Sequence, residues 1–414
     1  MKNSVFLLIL VYILVFPVLA LQRGPFDIKI LWYSGSLLLI TLFSYFMISK
    51  LKLSCKYIFV TAAMLTTIGF IILCRLNVEL FYRQSVWYAV AVSGYFLAIT
   101  VYNSREDRDR LCFVYYIVSM FLLIITFLFG TTIGGAKSWM YFGGYSFQFS
   151  EIIKVLYVLF MSSYFSIRES IKNNDSRIKN NLIKYVFIND FCLLTLVYTY
   201  VGFLILQRDW GSAMLFFITY LAFLYVYSKN WFIIILNVAV IIVSCICGYF
   251  LLHHIRIRVE SFINPWSDIS GKGYQITQSL FAIAEGGFFG KGVGLGSPQF
   301  IPEVRTDFIF SALCEECGIF TGISVILMFY IMCYRGVKIA LQSRIFFNKS
   351  VSFGLTVMVF AQTFIIIGGV IKLIPLTGIT LPFVSYGGSS LISSYVMIAI
   401  LSASDSRQVV LDNG

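Results

Sequence analysis

Along this chain the apolar residues fall in long runs broken by short polar stretches. The runs approach the about 17 to 25 residues needed to cross a bilayer. They cover 5–20, 31–48, 58–74, 86–101, 111–129 and 152–167 in the first half, and 191–206, 213–227, 232–252, 308–334, 351–370 and 383–401 in the second. A backbone in hydrocarbon has no water to bond, so a spanning segment is a helix or part of a closed barrel. No stretch shows the alternation, about ten residues long, of a barrel strand. The pattern therefore predicts an all-α, polytopic integral membrane protein with twelve transmembrane helices.

Composition agrees. With 414 residues, 59% hydrophobic and 12% charged, and a mean hydropathy of +0.88, a water-soluble globule would carry apolar surface it could not cover. Charge then sets the orientation, because Lys and Arg accumulate in short cytoplasmic loops. One set of loops holds Lys50, Lys52 and Lys56, then Arg105, Arg108 and Arg110, then Arg168, Lys172, Arg177, Lys179 and Lys184, then Arg335, Lys338, Arg344 and Lys349. Placing that set in the cytoplasm puts both termini inside and the long 255–306 segment outside. The net charge of +12 is then mostly this asymmetry rather than a sign of nucleic-acid binding. Residues 1–20 also have the basic start, apolar middle and small-residue end (Val18-Leu19-Ala20) of a signal peptide. We read them as a retained span, and cleavage would leave eleven spans with the rest unchanged.

The nine cysteines lie in or beside apolar runs and read as small hydrophobes; Cys314 and Cys317 form a CxxC with no second pair or nearby His to complete a metal site. No Walker loop, dinucleotide-binding glycine fingerprint, HExxH or GxSxG occurs. What remains informative is charge in or beside the spans, where each ionised group costs about 2.5 to 3.5 kcal/mol on insertion scales.

Four places stand out. Glu151 and Lys154, in Phe147-Gln148-Phe149-Ser150-Glu151-Ile152-Ile153-Lys154, share a helical face; they form either an internal ion pair or the edge of a polar cavity where Lys154 holds an anion. Gln207-Arg208-Asp209-Trp210-Gly211-Ser212 breaks two apolar runs, with Asp209 pairing with Arg208 or capping the next helix. The outer segment runs from His253 through Arg258, Asn264-Pro265-Trp266, Gly273-Tyr274-Gln275 and the glycines between Gly286 and Gly294 to Glu303-Val304-Arg305-Thr306-Asp307. It is too long for a connector, it contains an amphipathic stretch at 276–284, and Lys272, Lys291 and Arg305 would suit phosphate. Asp307 ends it at the edge of a span: partial dehydration there raises a carboxylate's pKa toward that of a general base, and a helix N-terminus opposes the rise. Last, prolines and paired glycines between Ile374 and Ser390 imply broken helix at membrane depth.

Together these stretches resemble the SEDS family (shape, elongation, division and sporulation), the group of RodA and FtsW. The motifs are Gly135-Ala136-Lys137-Ser138-Trp139, Phe147 to Lys154, Gln207 to Ala213, Gly273 to Ser279, Gly286 to Gly294, Pro302 to Phe310, Glu315-Glu316 with Gly318, and Leu373 to Ser390, with Tyr82-Arg83-Gln84 also matching. The sequence departs from the family pattern where Phe149 replaces the Pro of FQPSE, Arg208 the Pro of QPD, and Arg305 the His before the Thr-Asp pair. The resemblance implies a ten-helix core at 57–403, including the large outer loop at 253–307, with an added N-terminal helix pair in 1–50 and a cytoplasmic tail at 404–414.

It further implies a peptidoglycan glycosyltransferase of the bacterial cytoplasmic membrane. Such an enzyme polymerises lipid II at the outer face for elongation, division or sporulation, beside a class B penicillin-binding protein that crosslinks the strands. Asp307 would then be the catalytic base. Lys154, Glu151, Arg83, Lys291, Arg305, Gln275 and Ser385 would bind substrate. Basic residues or a divalent cation, magnesium or manganese, would neutralise the departing pyrophosphate. Two other classes of function fit a helical bundle with internal charges: a lipid II flippase, for which Asp190 is the deeper-lying charge, and a non-catalytic scaffold of a cell-wall complex.

Overall fold

The computed structural model describes residues 2–21, 27–51, 56–105, 107–172, 187 and 189–411. Met1 of the signal-like start, and Lys52, Arg177, Lys179 and Lys184 of the basic set, lie outside the described residues. The chain is a multi-pass helical membrane protein. The helices are α1 (Lys2–Leu21), α2 (Ile28–Lys50), α3 (Lys56–Leu76), α4 (Val78–Ser104), α5 (Cys112–Phe129), α6 (Phe149–Lys172), α7 (Asp190–Leu206), α8 (Trp210–Phe223), α9 (Trp231–Leu251), α10 (His253–Ile263), α11 (Tyr274–Gly286), α12 (Ile309–Gln342), α13 (Phe346–Val370) and α14 (Gly388–Leu411). Ten stretches of described helix are long and apolar enough to cross a bilayer. The twelve expected runs fall largely on helices: α7 is a shorter apolar helix, and the last run begins in irregular chain at 383–387 and is helical from Gly388 in α14. Helix α14 runs on to Leu411, and 412–414 of the expected tail lie outside the described residues.

The helical fold also includes one small sheet. Three short strands, β1 (Thr131–Ile133), β2 (Ala136–Phe142) and β3 (Tyr145–Gln148), form an antiparallel sheet in the order β1-β2-β3. Gly134-Gly135 and Gly143-Gly144 make the turns, every one at positive φ (59°, 85°, 55° and 85°). Two-residue hairpin turns of the primed types require that conformation, and Gly adopts it without steric cost.

Contacts divide the chain into two compact units. The first comprises residues 1–96, 248–332 and 362–398. In it α1 and α2 pack on each other and on α3. Asp27 caps α2 by accepting from the Lys29 N–H at 3.0 Å. Its aromatic core centres on Tyr88 and Tyr395, ring centroids 5.6 Å apart. Their buried hydroxyls bond Thr41 at 2.7 Å and Thr66 at 3.1 Å respectively, so these two polar groups are paired within the core. The segment 371–387 is irregular, as its prolines and glycines predict, and it rests on α3 at Gly69. A β-carbon on Gly69 would stand 2.9 Å from the Val384 Cα.

The second unit comprises 97–247, 333–361 and 399–414. Here α6 packs on α5 and α8, with Tyr157 stacked on Phe216 at 4.6 Å and donating its hydroxyl to the Phe216 carbonyl at 3.2 Å.

Gly69 gives a direct test of this packing. Gly69→Ala forces α3 from Val384 and is expected to cost about 1 to 3 kcal/mol, read as a lower unfolding temperature in detergent. Gly35→Ala, on α2 with no neighbouring atom within 4 Å, is expected to leave that temperature unchanged or slightly raised.

Candidate functional site

The long segment 253–307 is held at four places within the first unit. Near its start, the Ser261 hydroxyl donates to the Lys272 carbonyl at 2.9 Å, and Glu260 accepts from Arg256 at 3.0 Å and Lys272 at 3.2 Å. In the middle, Ser279 of α11 lies 2.6 Å from the Ser311 hydroxyl and donates to the Val370 carbonyl at 3.1 Å.

The glycine-rich loop 286–297 is held by a kink. Gly318 interrupts α12 with φ 80° and ψ 169°, which frees backbone groups that an unbroken helix would pair. The loop supplies their partners: Lys291 and Gly292 donate to the carbonyls of Glu315 and Glu316, each at 2.9 Å, and the Ile319 N–H donates to Gly287 at 3.0 Å. The two glutamates reinforce it. Glu315 Oε1 accepts from the Ser297 N–H at 2.6 Å. Glu316 Oε1 accepts from Arg75 Nε at 3.1 Å, and Arg75 Nη2 donates to the Gly294 carbonyl at 3.1 Å.

At the end of the segment Glu303 takes a left-handed φ of 53°, and the N–H groups of Thr306 and Asp307 both return to its carbonyl at 3.1 Å. This tight turn is tied to 381–387. The Ser385 hydroxyl donates to the Thr306 carbonyl at 2.6 Å while accepting from the Leu381 N–H at 2.9 Å, and the Tyr386 N–H donates to the Arg305 carbonyl at 2.9 Å. Gln84 of α4 braces the far side, donating to Ser385 O at 3.4 Å and accepting from the Gly387 N–H at 3.2 Å.

Asp307 therefore projects from a backbone fixed on two sides. The residue is half-buried, and its carboxyl is pushed up to about 7. Withdrawal from water is the largest cause and the Glu303 charge adds to it, while Arg258 and a hydrogen bond with Thr306 oppose it. Near neutrality this group is present in both forms, as a general base or acid requires.

The other expected site residues are placed as follows. Arg305 shares the Asp307 turn, with its side chain exposed. Ser385 is buried, with its hydroxyl used within the chain. Arg83 and Gln275 are exposed. Lys291 is exposed and pairs with Glu285, with Glu315 Oε1 at 3.9 Å. In the second unit Lys154 is wholly buried and bonds Glu151 at 2.8 Å. Asp209 belongs to this cluster: it caps α8 by accepting from the Ser212 N–H at 3.1 Å, and it accepts from Gln148 at 3.0 Å and Ser150 at 3.3 Å. Asp190 is buried against Arg168, with Ser228 and Asn230 also donating to it.

Sequence reasoning passed over Arg258, Gln84 and the Arg75–Glu316 pair. Arg258, Gln84 and Glu316 lie within quoted stretches, but each, like Arg75, acts on a segment far away in the chain. Among the described residues, no group of three or more His, Cys, Asp or Glu side chains is arranged to hold a metal ion.

Residues 55–408 match the model of the cell cycle protein family of FtsW, RodA and SpoVE. A peptidoglycan glycosyltransferase RodA from Mycobacterium tuberculosis is 32% identical over 326 residues, 77% of this chain and 69% of that one. A probable peptidoglycan glycosyltransferase FtsW from Borreliella burgdorferi is 36% identical over 289 residues, 69% of this chain and 76% of that one. Stage V sporulation protein E from Bacillus subtilis is 32% identical over 327 residues, 77% and 85% respectively. Among solved structures, the fold is similar to that of a chain from a peptidoglycan synthase complex that coordinates polymerization and crosslinking. That likeness has a TM-score of 0.67 at 24% identity, over 85% of this chain and 97% of that one. The Thermus thermophilus RodA structure is also similar, with a TM-score of 0.58 at 23% identity over 84% and 95%.

The buried Lys154–Glu151 pair can be tested for a role beyond packing. Lys154→Ala strands a buried carboxylate and is expected to cost about 3 to 5 kcal/mol. The double substitution Glu151→Leu with Lys154→Met removes both charges and is expected to recover most of the unfolding temperature. If glycan synthesis stays lost in that refolded protein, the lysine charge serves substrate; if it returns, the pair only orients α6.

Proposed function

Because the chain belongs to the FtsW, RodA and SpoVE family, a family of peptidoglycan glycosyltransferases, we propose that it polymerises lipid II with Asp307 as the general base. The enzyme class follows from the relatives; the assignment of Asp307 rests on its carboxyl, half-buried on a braced turn and poised near neutrality.

In the reaction, the acceptor sugar hydroxyl attacks the anomeric carbon of the donor. The new glycosidic C–O bond forms as the C–O bond to the undecaprenyl pyrophosphate breaks, and the leaving group departs with that electron pair. Asp307 takes the hydroxyl proton and later releases it to solvent. The departing pyrophosphate needs positive charge; the exposed side chains of Arg83 and Arg305 would supply it, and Lys291 would join them by leaving Glu285. Gln275, exposed at the start of α11, is suited to bond a sugar or peptide group. Lys154 and Glu151 would act from their buried position by fixing α6, or after a rearrangement that opens it. A magnesium or manganese ion would arrive with the substrate phosphates, since this cation commonly uses only one or two protein carboxylates.

The basic loops support an orientation in the bacterial cytoplasmic membrane with 253–307 on the outer side, where lipid II is consumed. A class B penicillin-binding protein is the partner that would crosslink the product.

The test is lipid II polymerisation by the purified protein with its cognate penicillin-binding protein, whose own catalytic serine is inactivated so that only uncrosslinked glycan can form. Asp307→Ala and Asp307→Asn are expected to lower the rate about 100- to 10,000-fold. The wild-type rate is expected to rise as pH passes through about 7 and to level off above it, because only the ionised carboxylate accepts a proton. Undiminished synthesis by both variants would remove Asp307 from the mechanism. No synthesis by a folded wild-type complex would favour a flippase or a scaffold.

A further inference from the structure

Two residues after Arg256, whose guanidinium is engaged by Glu260 at 3.0 Å, the helix α10 turns Arg258 onto a different face. Arg258 is half-buried, and its Nη1 donates to the Thr377 carbonyl at 3.3 Å. Its Nη2 lies 3.8 Å from the point where a β-carbon would sit on Gly378, and Asp307 Oδ2 lies 3.6 Å from that same point. Gly378 has φ +75°, so the turn is open on the side where the guanidinium and the carboxylate converge. The Thr377 hydroxyl beside them is buried without a hydrogen-bond partner among the described residues.

We propose that Arg258 is a positioning residue for Asp307: one arm of its guanidinium holds the Thr377–Gly378 turn and the other faces the carboxylate, which is thereby kept oriented as an anion. The inference rests on the reading of Asp307 as the base. Arginine suits the task because it keeps its charge at every working pH and presents several N–H donors in a rigid plane. Lysine offers a single charged point and cannot reach both partners at once with fixed geometry.

The groups facing Asp307 are few. Its own turn contributes the Glu303 carboxylate, which opposes ionisation, and the Thr306 hydroxyl, which assists it. Helix α10 contributes Arg258, which also assists ionisation, and the segment 371–387 contributes backbone at Thr377 and Gly378. Removing the arginine leaves burial and Glu303 opposed only by the Thr306 bond, so the carboxyl holds its proton to higher pH.

The measurement is the pH profile of lipid II polymerisation for wild type, Arg258→Gln, Arg258→Lys and Asp307→Asn, each with the partner transpeptidase inactivated and with unfolding temperatures measured alongside. Arg258→Gln is expected to move the acid limb upward by about one unit or more, the size of the effect of a nearby opposite charge. Its rate near pH 7 then falls about fivefold or more and is largely regained at alkaline pH. Arg258→Lys is expected to keep the limb close to that of wild type while lowering the plateau. It carries the test if the Gln variant does not fold. An equal loss at every pH with an unmoved limb in Arg258→Gln would overturn the proposal, as would a Lys variant whose limb shifts upward. These outcomes are separable from a failure of the base itself. Activity retained in Asp307→Asn would overturn the reading of Asp307, whereas an inactive Asp307→Asn beside an unmoved Arg258→Gln limb would overturn only the role of Arg258.

Discussion

The Ser385 hydroxyl accepts a hydrogen bond from Leu381 N–H and donates one to the Thr306 carbonyl, joining two irregular segments that could not exist separately. Helix ends and broken helices expose backbone groups, and hydrocarbon offers them no partners, so such segments persist only where protein satisfies them. In the first unit they satisfy each other. Tyr386 bonds Arg305, Gln84 brackets residues 385–387, and Gln362 donates to the Thr380 carbonyl at 2.8 Å. The loop 286–297 follows the same rule at the Gly318 kink, where its N–H groups meet the freed carbonyls of Glu315 and Glu316. Asp307 stands on a turn that these hydrogen bonds hold in place.

That rigidity has a chemical consequence. A flexible carboxylate at a membrane surface would turn toward water and titrate as an ordinary acid. Held on a turn and partly withdrawn from solvent, Asp307 shifts toward neutrality. The same low-dielectric surroundings make nearby charge count, so Glu303 adds to the rise that burial causes and Arg258 opposes it. In the second unit, buried charge serves a different end. Lys154, Glu151 and Asp209 are gathered with Gln148 and Ser150 around the start of α6 and the corner before α8. The β2 strand joins that corner through Lys137 N–H, which donates to Gln207 O at 2.8 Å. The small sheet thus connects two helix ends.

Some of this was open to reading in the chain and was missed. The Gly-Gly pairs at 134–135 and 143–144, flanked by Thr, Ile, Trp and aromatic residues, are hairpin signals. They lie in a stretch too short and polar to register against the neighbouring apolar runs. The capping role of Asp209 was among the expectations, and the structure selects it over pairing with Arg208. Lys291 was expected to face phosphate, and here it faces Glu285 and Glu315. No spacing along the chain could indicate that, because Glu315 approaches it only through the fold of the loop.

By itself the sequence determined that the protein is a membrane-spanning helical bundle, that its polar chemistry gathers in a few segments, and that Asp307 stands at the edge of a span. Those properties depend on runs of neighbouring residues, and hydrophobicity acts locally along the chain. The tertiary structure decided which charges meet. Arg258 beside Asp307, Arg75 on Glu316 and Ser385 under Thr306 pair residues separated by tens to hundreds of positions. The state of an ionisable group is set by what surrounds it in space: the water excluded and the charges within a few ångströms. Sequence carries that information only through the fold.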